Sequence, residues 1–247
     1  GLIDSGISVL DIGVLPTPVN YFSNYHLEID GSVQITGSHN PSDYNGFKFT
    51  FDKKPFFGKH IQELYNIIYN DKYITAKGEY SQVDILSAYV DDIVGRIKIN
   101  KNIKVAMDCG NAAGAIIAPE IFRSLNIDVE ELYCNIDGTF PNHHPDPTVD
   151  KNLEAIIKVV KNGEFDLGIA FDGDADRLVC IDSNGEIIRS DILMAIFSKN
   201  ILKKIDNKKI IYDVKCSSSL KETIINEGGE AIEYKTGHSL IKNKMKL

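Results

Sequence analysis

The sequence predicts an α/β protein of successive related units, mixed sheets flanked by helices, and three observations carry that expectation. Short apolar runs of strand length alternate with longer stretches of helical period along the 247 residues. Two helical stretches, VDILSAYVDDIVGRI and SDILMAIFSKNILKK, share a DIL opening, and each leads through a Lys- and Asn-rich turn into an apolar strand, IKVAMDCG and then IIYDVKCS. A composition of 43% hydrophobic and 25% charged residues is ordinary for a globular chain with real cores. The repeat places the expected units at 1–84, 85–186 and 187–247.

The elements follow in order. Strands are expected near 33–36 and 47–51, where VQIT and FKFTF alternate, and a helix over 60–69, where IQELYNIIY has helical spacing. The polar joint AKGEYSQ (76–82) precedes a helix over 83–97. Then come a strand near 103–108, a helix over 115–125, a strand near 129–134 and a helix over 152–162. Apolar runs give strands at 166–172 and 178–182, a turn at DSNGE, and a helix over 191–204. A strand near 210–214, a helix over 217–227 and a strand near 231–234 complete the alternation, with Ser190 and Ser217 as the N-caps of the last two helices.

Charge and cysteines exclude several functions. A net charge of −8 argues against a nucleic-acid partner and means that an anionic ligand needs a metal or a local basic pocket. Cys109, Cys134, Cys180 and Cys216 are widely spaced without a C-x-x-C pair, which favours reduced thiols in a cytoplasmic protein over a disulfide framework or zinc site. No apolar run approaches the ~20 residues of a membrane span. The chain starts on Gly1 without an initiator Met and stops at KNKMKL inside a helical pattern, so an internal piece of a longer protein is expected.

The strongest local signal is LGIAFDGDADRLVCID (167–182). An apolar strand ends at Asp172, and carboxylates recur at Asp174 and Asp176 with small Gly173 and Ala175 between them. Three hard oxygen donors aimed at one point suit Mg²⁺, and Arg177 follows as a planar fork for a phosphate beside the metal. A calcium hand also opens D-x-D-x-D, but it requires Gly and Glu where this loop has Arg177 and Ser183. A haloacid-dehalogenase-type phosphatase, with an aspartate nucleophile after an apolar strand, stays open.

The loop TGSHNPSDYNGFK (36–48) holds a serine that is a poor nucleophile unless its status is changed. A phosphoryl group on Ser38 would add roughly −1.5 to −2 charges and three acceptor oxygens. A cation in the Asp172–Asp176 loop would answer that charge, while Lys48, His39 and Asn40 supply donors and Gly37 permits close backbone approach.

With these two loops the chain resembles the α-D-phosphohexomutase family, and within it the bacterial phosphomannomutase/phosphoglucomutase branch. The likeness rests on TGSHNPSDYNGFK, FDGDADR (171–177), DVKCSSSL (213–220) and YKTGHSLIKNKM (234–245), with weaker support from PTPVNYFS (16–23) and DGTFPNHHPDP (137–147). The resemblance implies a four-domain protein of which this chain holds most of the first domain, the second, and the opening of the third. It implies that Ser38 is a phosphoserine, that Asp172, Asp174 and Asp176 hold Mg²⁺ together with a phosphate oxygen of the modified Ser38, and that Arg177 and Lys48 line the transfer site. Lys215 and His238 are implied as acid/base and sugar-side groups, and His39 and Asn40 as shapers of the serine loop. The implied reaction interconverts hexose 1-phosphate and hexose 6-phosphate through a 1,6-bisphosphate. The family's sugar-recognising loop and fourth-domain phosphate loop have no counterpart in the chain, so weak activity of the piece alone is expected.

Other patterns read as structural. DCGNAAGA (108–115) lacks the full glycine fingerprint of a nucleotide-binding turn. His143 and His144 sit in a proline-rich loop without further metal ligands at zinc spacing, and His26 and His60 read as surface residues. A non-catalytic phosphosugar-binding module remains the rival from outside enzymology.

Overall fold

The computed structural model describes residues 1–246. The first stretch contains β1 (Val9–Asp11), α1 (Thr17–His26), β2 (Gly31–Ile35), β3 (Phe47–Phe51), β4 (Lys54–Phe56), α2 (Lys59–Tyr69) and β5 (Tyr80–Gln82). β2, β3 and β4 form an antiparallel meander whose first connection is the serine loop, while β1 and β5 pair in parallel. β5 falls inside the stretch expected to be a polar joint, because three exposed residues carry no apolar pattern and gain their order from pairing with β1.

Next come α3 (Leu86–Arg96), β6 (Lys104–Asp108), α4 (Ala118–Ser124), β7 (Asp128–Leu132), α5 (Glu154–Asn162), β8 (Leu167–Phe171), β9 (Leu178–Asp182) and β10 (Ile187–Ile188). They build a five-stranded sheet in the order β10-β9-β8-β6-β7, parallel from β7 to β8 and antiparallel beyond. The aspartate loop thus lies at the carboxyl end of β8, where pairing changes sense. Open sheets place ligands at such ends.

Close packing holds that end in place. Ile156 and Val160, four apart on α5, are fully buried against Ala170, Val179 and Ile181. Gly168 on β8 lets α5 come close, since a Cβ there would sit 2.9 Å from Val160 Cγ2 and 3.2 Å from Ile181 Cβ. Replacing Ile156 with Ala is expected to lower unfolding stability by about 2–5 kcal/mol, read as a shift of the urea midpoint.

The last stretch holds α6 (Ser190–Ile201), β11 (Lys209–Asp213), α7 (Ser218–Asn226), β12 (Glu230–Tyr234) and α8 (His238–Lys244). β11 and β12 pair in parallel over a core of Ala195, Leu202, Tyr212, Leu220 and Ile224. Ser190 lies inside the first turn of α6, whose N-cap is Arg189, so the capping role expected of it is corrected. Ser217 is the N-cap of α7 but its side chain makes no capping hydrogen bond. α8 packs against both β11 and β4, which brings this helix against the serine-loop sheet. Among the described residues no helix is long and apolar enough to cross a membrane.

Candidate active site

The aspartate loop folds back on itself immediately after β8. The Ala175 N–H donates to the Asp172 carbonyl at 2.9 Å, and the Asp172 N–H to the Arg177 carbonyl at 3.2 Å. Ala175 adopts a left-handed φ of 53°, a conformation that a non-glycine residue holds only when its surroundings insist. The turn brings Asp172, Asp174 and Asp176 together, one carboxylate oxygen from each lying within 4.8 Å of the others. Asp172 and Asp174 are buried and Asp176 closes the open side.

The serine loop meets this turn main chain to main chain. A Cβ on Gly173 would lie 2.0 Å from the Ser38 carbonyl oxygen, so the contact exists only because residue 173 is glycine. Ser38 also has a left-handed φ of 53°, and its N–H donates to Thr36 Oγ1 at 2.8 Å. That posture aims the hydroxyl across the gap. Ser38 Oγ donates to Asp172 Oδ2 at 3.2 Å, receives Arg177 Nη2 at 3.2 Å, and stands 3.3 Å from His39 Nδ1.

Two cations face the three carboxylates. Arg177 donates to Asp172 Oδ2 through Nε at 2.8 Å and Nη2 at 2.6 Å, and its Nη2 also contacts His39 Nδ1. Lys48 Nζ, carried on β3, bridges Asp174 at 2.5 Å and Asp176 at 2.8 Å. Burial pushes the Asp172 carboxyl up from its ordinary value, and the adjacent Arg177 offsets only part of this. Burial acts on Asp174 in the same direction, but hydrogen bonds from Lys48 and Thr17 overcome it and hold that carboxyl low. Burial opposes the charge on Lys48, yet its two aspartate partners hold its pKa above the ordinary value.

Asp174 Oδ2 is satisfied, whereas Asp174 Oδ1 is buried with no hydrogen-bond partner among the described residues. An orphaned carboxylate oxygen is costly unless something positive meets it. Three convergent oxygen donors, one of them unpaired, fit a small hard divalent cation.

Sequence reasoning missed several contributors. Thr17 at the start of α1 is fully buried, donating Oγ1 to Asp174 Oδ2 at 2.5 Å and its N–H to the Asp174 carbonyl at 2.9 Å. The helix thereby points its positive end at the carboxylate cluster. His144 Nε2 lies 2.5 Å from the His39 carbonyl oxygen, tying the proline-rich loop to the serine loop. His143 pairs through Nε2 with Asp108 Oδ2 at 3.0 Å. The signal available for both was a histidine pair held between prolines, PNHHP.

The Asp108 hydrogen bond raises the pKa of His143 above 6.5, against the pull of burial. A raised histidine contributes stability that is complete below its unfolded-state pKa and disappears as pH climbs through the folded value. The melting temperature of the wild type should therefore exceed that of His143→Gln most below about pH 6.5, with the gap narrowing at alkaline pH.

The remaining expected residues divide. His238, at the start of α8, is exposed; partial desolvation, Lys242 and Lys48 hold its pKa below 6.5. Lys242 spans the rim with its Nζ 3.9 Å from the Tyr21 ring centroid. Asn40 is exposed, and its N–H closes a turn onto the Gly37 carbonyl. Lys215 is exposed after β11, its N–H donating to Asp213, and among the described residues no ion pair joins its side chain to the carboxylate cluster.

Comparison with known proteins identifies the family. The chain matches the families described as phosphoglucomutase/phosphomannomutase, alpha/beta/alpha domains I, II and III, over residues 1–74, 87–185 and 189–247. It is 46% identical to a phosphoglucomutase of Neisseria gonorrhoeae over 100% of this chain and 54% of that protein. It is 43% identical to a phosphomannomutase/phosphoglucomutase of Pseudomonas putida over 100% of this chain and 53% of that one. A crystal structure of a phosphoglucomutase/phosphomannomutase family protein from Burkholderia thailandensis superposes with a TM-score of 0.96 at 40% identity, covering 100% of this chain and 56% of that one. The chain thus spans about half the length of the curated relatives it matches. Matches to three consecutive domains in order, over nearly every residue, leave one assignment: the chain belongs to the phosphoglucomutase/phosphomannomutase family.

Proposed function

We propose that this chain carries the phosphoryl-transfer core of a phosphohexomutase, an isomerase interconverting hexose 1-phosphate and hexose 6-phosphate of mannose or glucose. The observation that carries the reading is the 3.2 Å approach of Ser38 Oγ to Asp172 at the edge of the three-carboxylate cluster. The relatives' names, phosphoglucomutase and phosphomannomutase/phosphoglucomutase, support the same substrate class. Since the chain spans about half their length, the mutase activity is proposed for the whole protein and serine phosphorylation for this chain. In that reading residues 1–84 present the serine, 85–186 the aspartate loop and 187–247 sugar-side groups.

Phosphoryl transfer asks mainly for positioning and charge stabilisation. A phosphoserine beside three carboxylates requires positive charge. Arg177 Nη2 already faces Ser38 Oγ, and Lys48 helps hold the Asp174 carboxyl below its ordinary pKa while also pairing with Asp176. Mg²⁺ held by Asp172, Asp174 and Asp176 would supply further charge neutralisation at the phosphoryl oxygens. The sugar's free hydroxyl oxygen takes the phosphoryl group as the bond to Ser38 Oγ breaks, giving the 1,6-bisphosphate, and the other phosphate then returns to Ser38. Lys215 and His238 are both candidates to handle the hydroxyl proton. His238, held neutral near Lys48, is the better placed.

The test is phosphoryl transfer from glucose 1,6-bisphosphate to the chain, followed by peptide mass spectrometry. One phosphoryl group on Ser38 is expected, and none when EDTA is present during the transfer. A phosphatase reading predicts hydroxylamine-labile phosphate on Asp172 instead, and a binding module predicts none. Asp172 is poorly suited to attack, because Oδ1 accepts the Arg177 N–H and Oδ2 accepts its guanidinium.

A further inference from the structure

Away from the transfer site, the carboxyl ends of β6 and β7 bring two thiols together. Cys109 is fully buried and Cys134 half-buried, with their Sγ atoms 3.0 Å apart. The strand register does not produce this by itself. Asp108 pairs with Leu132, which sets Cys109 opposite Tyr133 and would turn Cys134, one residue on, to the other face. Tyr133 instead adopts a left-handed φ of 53°, and the Asn111 N–H fixes it by donating to the Tyr133 carbonyl at 2.8 Å. The chain is bent where Cys134 comes to meet Cys109. Cys180 and Cys216 make no such contact among the described residues.

We propose that Cys109 and Cys134 form a peroxide-sensitive dithiol that closes reversibly to an intramolecular disulfide. The Sγ separation exceeds the bond length of about 2.05 Å by roughly one ångström, a gap that small side-chain rotations close. The two sulfurs differ in the way such a pair requires. The contact with Cys109 holds the Cys134 thiol below its ordinary pKa, with Arg123 acting in the same direction. The same contact, together with burial, pushes the Cys109 thiol far up. Cys134 is thus the more exposed sulfur and the one more readily present as thiolate.

In the first step Cys134 attacks one oxygen of hydrogen peroxide. The O–O bond breaks, hydroxide leaves and takes up a proton as water, and Cys134 becomes a sulfenic acid. The Cys109 sulfur then attacks the sulfenic sulfur and gives up its proton. The S–O bond breaks and a second water leaves. Two thiols lose two electrons in all, and one peroxide becomes two waters. A dithiol reductant reverses the change by exchange.

The bond would tie the end of β6 to the chain that runs on to His143 and His144. Asp108, next to Cys109, already holds His143, and Asn111 Nδ2 donates to the Asn135 carbonyl at 2.8 Å. The site stands independently of the phosphotransfer reading. Disulfides of this transient kind, where they occur in reducing compartments, are redox-sensing or catalytic.

The test exposes the chain to a few equivalents of hydrogen peroxide, then denatures it in iodoacetamide and maps its peptides by mass spectrometry. Two of the four thiols should escape alkylation, in one cross-linked species joining Cys109 to Cys134, and dithiothreitol should restore both. Cys109→Ser should leave a Cys134 sulfenic acid that dimedone traps, whereas Cys134→Ser should leave Cys109 fully alkylated. Alkylation of all four thiols after peroxide, or oxidation of Cys180 or Cys216 ahead of this pair, overturns the proposal. The wild-type measurement decides even where a variant fails to fold.

Discussion

Ser38→Ala is expected to abolish covalent phosphorylation: after incubation with glucose 1,6-bisphosphate and Mg²⁺, the intact mass stays that of the unmodified chain. In the whole protein the interconversion rate should fall by on the order of 10⁴-fold or more, the scale of removing a covalent nucleophile. Structural damage is a weak rival explanation, because the backbone contacts of the serine loop survive the change. The Ser38 N–H to Thr36 and the main-chain approach at Gly173 do not use the hydroxyl. Ser38→Thr keeps a hydroxyl but adds a methyl beside His39, and β-branched residues resist the left-handed backbone found at this position. It should recover little. Phosphate appearing elsewhere in the Ser38→Ala chain would refute the assignment.

Asp174→Asn should weaken divalent-cation binding sharply. Partners that merely orient a ligand are worth roughly 10–100-fold in affinity, so a direct ligand should cost at least that. Titration calorimetry with Mg²⁺, and separately with Mn²⁺, reads the change, and unaltered affinity would dismiss the site. The variant also carries a pH signature in metal-free buffer. Asp174 is held low by Lys48 and Thr17 despite its burial, and a depressed carboxylate contributes stability above its unfolded pKa that vanishes as pH falls through the folded value. The stability gap between wild type and Asp174→Asn should therefore be full at neutral pH and close in acid.

The parts of the fold that were legible in the sequence are those with an apolar period. β3 and β9 were legible to the residue, and α5 nearly so, because FKFTF and EAIIKVVKN each show one apolar face and LVCID is a short apolar run bounded by charged residues. α1 was not legible. Its buried residues are Thr17, Val19, Asn20, Ser23 and Asn24; only Val19 joins an apolar cluster, with Leu15 and Ile85, and the four polar side chains make hydrogen bonds. Ser32 bonds to Asn20 and Asn24 bonds to Ser32, so the interface with β2 has no hydrophobic signature. The carboxylate loop stood out because three aspartates directly follow an apolar strand. His144 did not, since its partner is the backbone carbonyl of His39, an atom every residue possesses.

Gly173 touches the Ser38 carbonyl with nothing between them. A seam made of peptide groups has no rotamers to absorb misalignment, so the two loops must travel as one piece. Any motion demanded by a turning bisphosphate is then left to the ligand or to elements beyond that seam.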